Sequence, residues 1–328
     1  MKRTCYGVIL IGLIITLSAG EGRAWIVGGS SLGGGSQDAI LKALLPYQSQ
    51  RKLAKGMANA SVYSAHVATH RGYQGYDKFA VTVGTMAAAQ VPATTTDLSY
   101  YKKLPQRLRD QGDLLIGVAW NAWSANVGVK LPGGFYLSGK FGKLKYNYHE
   151  YGFDGTHAGG MLNYQIIAQK APPVKFVLWR GLSVGTGFIW QTNTTKIDLK
   201  LSPYSIDGFT FRPIVGLYAK TESYVIPLEI STSVRLFWVI NIHAGAGIDF
   251  AMGSSRLRYH SLGLITGPLS TVGIYSLYGK QGGKGSSNYI PKIFCGPGLS
   301  FGPVIIDIPF TYYFTKGFNL GVSFGVVW

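Results

Sequence analysis

The segment from Tyr148 to His157 brings two imidazoles, His149 and His157, and two carboxylates, Glu150 and Asp154, into ten residues. Such groups are able to ligate a metal or exchange protons. They lack the His-Glu-x-x-His spacing that sets two imidazoles on one helical face, and the segment has the composition of a connection between strands. Tyr259, His260 and Ser261 join a base to a hydroxyl only in sequence, because neighbours on a strand point to opposite faces. The stretch from Gly279 to Ser287, rich in glycine and lysine, superficially resembles a phosphate-binding loop. It lacks the Gly-Lys-Ser/Thr order, and its flanks predict a flexible loop between strands. None of these groups makes an enzyme or a cofactor site, and no nucleic-acid module accompanies the basic charge.

A second set of ionisable residues is arranged by period rather than by motif. Arg212, Glu229, Arg235, His243 and Asp249 each stand in a segment where polar or small residues alternate with apolar ones. From Tyr224 to Trp238 the even positions are mostly apolar; from Asn241 to Met252, Ile242, Ala244, Ala246, Ile248 and Phe250 oppose His243, Gly245, Gly247 and Asp249. The same two-residue period runs through Leu162–Ala168, Leu182–Trp190, Phe209–Leu217 and Val304–Phe314. Residues at i and i+2 share one face of a strand, so these are two-faced strands. The five ionisable residues fall on the inner faces, as candidates for mutual pairing across a lumen or for ligand binding.

The last strand states the destination. Phe318, Leu320, Val322, Phe324, Val326 and Trp328 share one face; Asn319, Gly321, Ser323 and Gly325 share the other. Lipid on one side and a lumen on the other require this pattern. Phe324, Val326 and Trp328 form the aromatic-ended signal expected to address the chain to the outer-membrane barrel assembly machinery.

The opposite end agrees. Lys2 and Arg3 precede an apolar run from Val8 to Gly20, and Gly22 and Ala24 are small. This predicts a secretory signal cleaved after Ala24, or after Gly20, since thirteen residues span only about 20 Å as a helix. Cleavage after Ala24 removes Lys2, Arg3 and Arg23 with Glu21, so the formal charge of +17 becomes +15. Of the two cysteines only Cys295 remains, which leaves no internal disulfide.

Hydrophobic content of 47% with only 14% charged residues is unusual for a soluble domain, where about 25% is charged. Past the signal, no apolar run is long enough for a spanning helix, and a closed barrel is the other way to pair every backbone group in lipid. Residues 78–328, at roughly 18–22 residues per strand with its connection, give about 12 strands, within a range of 10 to 14. A barrel this wide is plugged or conducts.

Residues 25–77 supply a candidate plug. A glycine-rich stretch leads to Ser36, which can cap a short helix carrying Ile40, Leu44 and Tyr47, and a basic helical stretch follows from Gln48 to Asn59. A further stretch, Thr94 to Asp113, carries Lys102, Lys103, Arg107 and Arg109 and is expected as a loop at the rim.

An amino-terminal helical plug, a barrel of this size and a terminal aromatic together resemble the FadL-like outer-membrane transporters of hydrophobic compounds, in a glycine-rich, basic style similar to spirochaete barrels. The chain lacks that family's Asn-Pro-Ala hatch motif; Met57 to Ser61 is the nearest segment. The resemblance implies passive diffusion of a small apolar compound through the lumen and out by a gap in the wall, with no cofactor. The expectation is therefore an all-β transmembrane antiparallel barrel in the outer membrane of a diderm bacterium, in contact with outer-membrane lipids. Its role is a passive transporter or channel, or alternatively a surface adhesin whose basic loops bind polyanions.

Overall fold

The computed structural model describes residues 23–27, 51–68, 78–91, 115, 117–148, 151–169, 176–200, 204–206, 209–266, 271–284 and 286–328. The signal segment up to residue 22, the predicted first helix and the stretch 94–113 lie outside the described residues. Strands are β1 (Arg23–Val27), β2 (Phe79–Gln90), β3 (Gly117–Leu131), β4 (Phe135–Tyr148), β5 (Tyr151–Ile167), β6 (Val177–Lys200) and β7 (Tyr204–Ile206). They continue with β8 (Phe209–Leu236), β9 (Ile240–Thr266), β10 (Thr271–Lys284), β11 (Tyr289–Phe301), β12 (Val304–Asp307), β13 (Phe310–Tyr313) and β14 (Gly317–Val327). One α-helix, α1 (Arg51–Ser64), is present among the described residues.

All pairings are antiparallel and the sheet closes on itself. The ring runs β2-β3-β4-β5-β6-β8-β9-β11, then a stave made of β12 and β13, then β14, which returns to β2. The closing pair runs from Gly317 opposite Gln90 to Val327 opposite Ala80. It ends in bonds from Phe79 N to Trp328 O at 3.0 Å and from Trp328 N to Phe79 O at 2.8 Å. The terminal strand thus closes the barrel on the first strand, as its pattern predicts.

The two-residue period sorts the side chains as expected. On β14, Phe318, Leu320, Phe324 and Val326 face out while Asn319 and Ser323 are buried. On β8 and β9, Tyr224, Ile226, Leu228, Ile242, Phe250 and Met252 face out; Ser223, Glu229, Ser231, Asn241, His243 and Asp249 are buried. The exterior is apolar and the interior polar, the reverse of a soluble fold. Tyr224 to Leu236 covers roughly 40 Å of strand, or about 28 Å along the normal at a ~45° tilt, which is the height of a hydrocarbon core.

The ring has ten staves, fewer than the twelve expected and at the low end of the expected range. The difference lies in strand length. β6, β8 and β9 have 24, 28 and 27 residues, far more than the 9–11 that cross a membrane. Their upper halves rise past the apolar band, and β10 pairs with β9 from Ser254 to Thr266 above the level at which β11 pairs with it. This also corrects the expected loop at Gly279–Ser287. Gly279 to Lys284 belong to β10, because the free upper edge of β9 gives their backbone groups partners.

At the ends nearer Phe79 and Trp328 the connections include the short turns 132–134, 237–239 and 302–303. The stave from Val304 to Tyr313 breaks where Pro309 has no N–H to donate. The wall is bonded across the break, from Ile308 N to Pro297 O and from Gly321 N to Pro309 O, both at 2.9 Å. This interruption therefore provides no gap of the kind the resemblance implies.

Candidate functional site: the helix inside the ring

Helix α1 lies within the ring. Ala54 and all residues from Gly56 to Ala68 are buried, and its partners come from staves all around the wall. The helix predicted from Gln48 to Asn59 extends further than expected, to Ser64, because its last turn is completed by the barrel. The final carbonyls of a helix have no partner within it, and here wall side chains donate to them. Gln191 donates to Ser61 O, Asn121 to Ser64 O at 2.7 Å and Asn319 to Tyr63 O at 2.6 Å. The Tyr313 hydroxyl donates to Tyr63 O at 3.2 Å, Lys140 to Ala65 O, and Asn126 to Ala68 O at 2.8 Å. Inward amides and an ammonium do the work of a C-cap, and the positive charge of Lys140 suits the negative end of the helix dipole.

In the last turn of α1, Tyr63 also stacks on Tyr313 with centroids 4.2 Å apart. Its hydroxyl donates to Gln90 Oε1 at 2.7 Å, and Asn59 Nδ2 donates to the same oxygen at 2.9 Å. The helix approaches β3 backbone to backbone. A Cβ on Gly117 would stand 2.1 Å from the carbonyl carbon of Gly56, so only glycine allows this contact.

Beyond the helix, the turn carrying His66 meets an ionic cluster on three staves. Lys292 Nζ lies 2.5 Å from Glu229 Oε1, 2.6 Å from Asp249 Oδ1 and 3.0 Å from His66 Nε2. His66 Nε2 is also 2.9 Å from Asp249 Oδ2, so its tautomer decides which of the two it bonds. All four side chains are buried. The ladder explains how Lys292 reaches Glu229. Gly247 of β9 pairs with Glu229 on one side and with Lys292 on the other. With no side chain at Gly247, the lysine crosses the intervening strand.

His66, Glu229 and Asp249 present ligand atoms within 4.8 Å of one another, a spacing suited to a divalent ion. Lys292 Nζ already supplies a cation among them. Burial draws the His66 imidazole below its ordinary value, to about 4, against the pull of the neighbouring carboxylates. At neutral pH the His66 imidazole is therefore uncharged.

Of the inner-face candidates, the structure brings Glu229 and Asp249 together. His243 is buried six residues lower on β9. Arg235 lies lower on β8, with Nε donating to Asn241 Oδ1 at 3.1 Å. Arg212 pairs with Leu264 in the part of β8 above the apolar band, and its side chain lies outside the described residues. His66 and Lys292 were not among the candidates. Among the described residues from Tyr148 to His157, the two candidate ligands do not come together. Asp154 is exposed and His157 buried, on opposite faces of β5, while His149 and Glu150 lie outside the described residues.

No curated protein matches the sequence. Among solved structures, the translocator domain of autotransporter NalP from Neisseria meningitidis is 9% identical, with 91% of this chain and 99% of that one covered at a TM-score of 0.34. The toluene transporter TbuX from Ralstonia pickettii is 7% identical, with 84% and 99% covered at 0.27. A FadL homologue from Pseudomonas aeruginosa is 8% identical, with 83% and 98% covered at 0.25. The Lsa36-like family model matches residues 36–328. The chain, a closed antiparallel β-barrel with an apolar exterior, belongs to the Lsa36-like family.

Proposed function

We propose that the protein is a passive outer-membrane channel or transporter for small compounds, exported by a cleaved signal and closed at rest by the segment containing α1. The observation that supports this reading is the seating of the helix: its terminal carbonyls and His66 are bonded to wall residues all around the ring. These are hydrogen bonds from wall side chains, which a displaced helix can exchange for bonds to water at little net cost. The described lining is rich in Asn, Gln and Ser, which favours small polar solutes over the apolar cargo suggested by the family resemblance. The test is conductance in planar bilayers. Full-length protein gives small or infrequent openings, and deletion of residues 51–68 gives large, stable steps. Equal conductance by the two would sink the reading.

A second role, as a surface adhesin for polyanions, is favoured by one observation. Above the apolar band Lys143, Lys145, Lys196, Lys220, Arg256 and Arg258 are exposed on the rising wall. Binding of intact cells to immobilised heparin that is lost when these six are neutralised supports this role, and unchanged binding excludes it.

A further inference from the structure

We infer that the outer wall carries a site for a phosphorylated membrane lipid, its acyl chain in a depression between β5, β6 and β8 and its phosphate on Lys220 and Arg256. The depression encloses about 440 Å³ and is lined by Ala158, Gly159, Phe188, Trp190, Glu222 and Tyr224. Ala158 and Gly159 recess its floor, while the rings of β6 and β8 stand out as walls. The Glu222 carboxylate is committed to those walls, accepting from the Tyr224 hydroxyl at 2.9 Å and from Trp190 Nε1 at 3.4 Å. An apolar trough thus opens toward the tails, with its upper rim at the end of the apolar band.

Two residues above Glu222 stands Lys220, and its cross-strand partner on β9 is Arg256. Side chains directly opposite on an antiparallel pair start about 5 Å apart, so two like charges there repel. Both are exposed, and neither has an ionic partner among the described residues. Of the neighbouring cations, one has a carboxylate and one an aromatic ring. Lys196 Nζ pairs with Asp198 at 2.9 Å, and Arg258 lies 5.8 Å from the ring centroid of Tyr218. The uncompensated pair is four residues above Tyr224, about 13 Å along the strand and ~9 Å along the membrane normal, which places flexible cationic side chains in the headgroup layer. One anionic group between Lys220 and Arg256 relieves the repulsion. The apolar trough lower on β5, β6 and β8 suits an anion that carries a hydrocarbon chain, which distinguishes a lipid from a free polyanion.

The test uses full-length protein in mild detergent, titrated with phosphatidylglycerol, with bound lipid counted by native mass spectrometry. Replacing both cations, Lys220→Ala with Arg256→Ala, weakens binding about 30-fold, from roughly 1 kcal/mol per basic residue. Ala158→Leu, which fills the trough and leaves both cations, weakens it as well. Undiminished binding by either variant overturns the site. Complete displacement of the lipid by glycerol 3-phosphate, which has the anion but no chain, overturns it too. Heat-modifiable migration on gels verifies that each variant is folded, and Lys220→Gln with Arg256→Gln replaces any variant that is not.

Discussion

At the scale of residues, the molecule's most exacting feature is one ammonium holding two carboxylates in a buried place. Lys292→Met removes the positive charge and leaves Glu229 and Asp249 facing each other without compensation. Breaking a buried ionic group in this way costs about 3–5 kcal/mol. The expected outcome is a loss of that order in urea unfolding from lipid vesicles, partly restored when Glu229→Gln and Asp249→Asn are added. No restoration would mean that Lys292 acts through packing alone. His66 adds a pH dependence whose sign follows from burial. Its folded value, about 4, lies below the ordinary 6.5. The unfolded chain therefore takes up the proton first, and stability present above pH 6.5 is lost as pH falls toward 4, by about 3 kcal/mol at most. Unfolding midpoints measured across that window should fall for the natural protein and stay flatter for His66→Asn. Glu229 and Asp249 were legible in the sequence because their strands alternate cleanly. Lys292 was not, because Pro291, Ile293, Cys295 and Pro297 alternate with Ile290 and Phe294 and leave both faces of β11 apolar. His66 follows a helix, where no period of two exists to find it.

At the scale of elements, the strands with apolar residues on one face and Asn, Ser or Gly on the other were legible as barrel staves, and β14 was legible as the last of them. Strand length was not. Lysine and threonine on the outer faces of β6 and β8 above the band end the membrane pattern without ending the strand, because pairing continues in water. The end of α1 was also hidden, since Asn121, Asn126, Gln191 and Asn319 cap it from positions far away in sequence. Closure by β14 makes a sharp prediction. Removing Phe324 to Trp328 deletes the partners of Val81, Thr82 and Val83 on β2 and of Val304, Ile305 and Ile306 on β12. Two facing ladder edges are then unpaired within lipid, where each unsatisfied backbone group costs several kcal/mol. The truncated chain should be absent from the outer-membrane fraction and show no heat-modifiable band, whereas Trp328→Phe, which keeps the aromatic end and every backbone bond, should assemble. A truncated chain that inserts normally would show that closure does not depend on this segment.

At the scale of the whole molecule, the ring is asymmetric along its axis. Short turns lie at the end where Phe79 meets Trp328; at the other end β6, β8, β9 and β10 extend into a basic wall above the apolar band. In barrels inserted from the periplasm, short turns stay on that side and the longer structures face out. The prediction is accessibility. In intact cells an impermeant maleimide should label Arg258→Cys and should not label Trp238→Cys unless the membrane is first broken. Cys295, replaced by Ala in both variants to silence it, faces out from β11 beside Ala244 of β9, within the apolar band. The natural protein should therefore resist the same reagent even in broken cells. Labelling of Trp238→Cys from outside would invert the barrel.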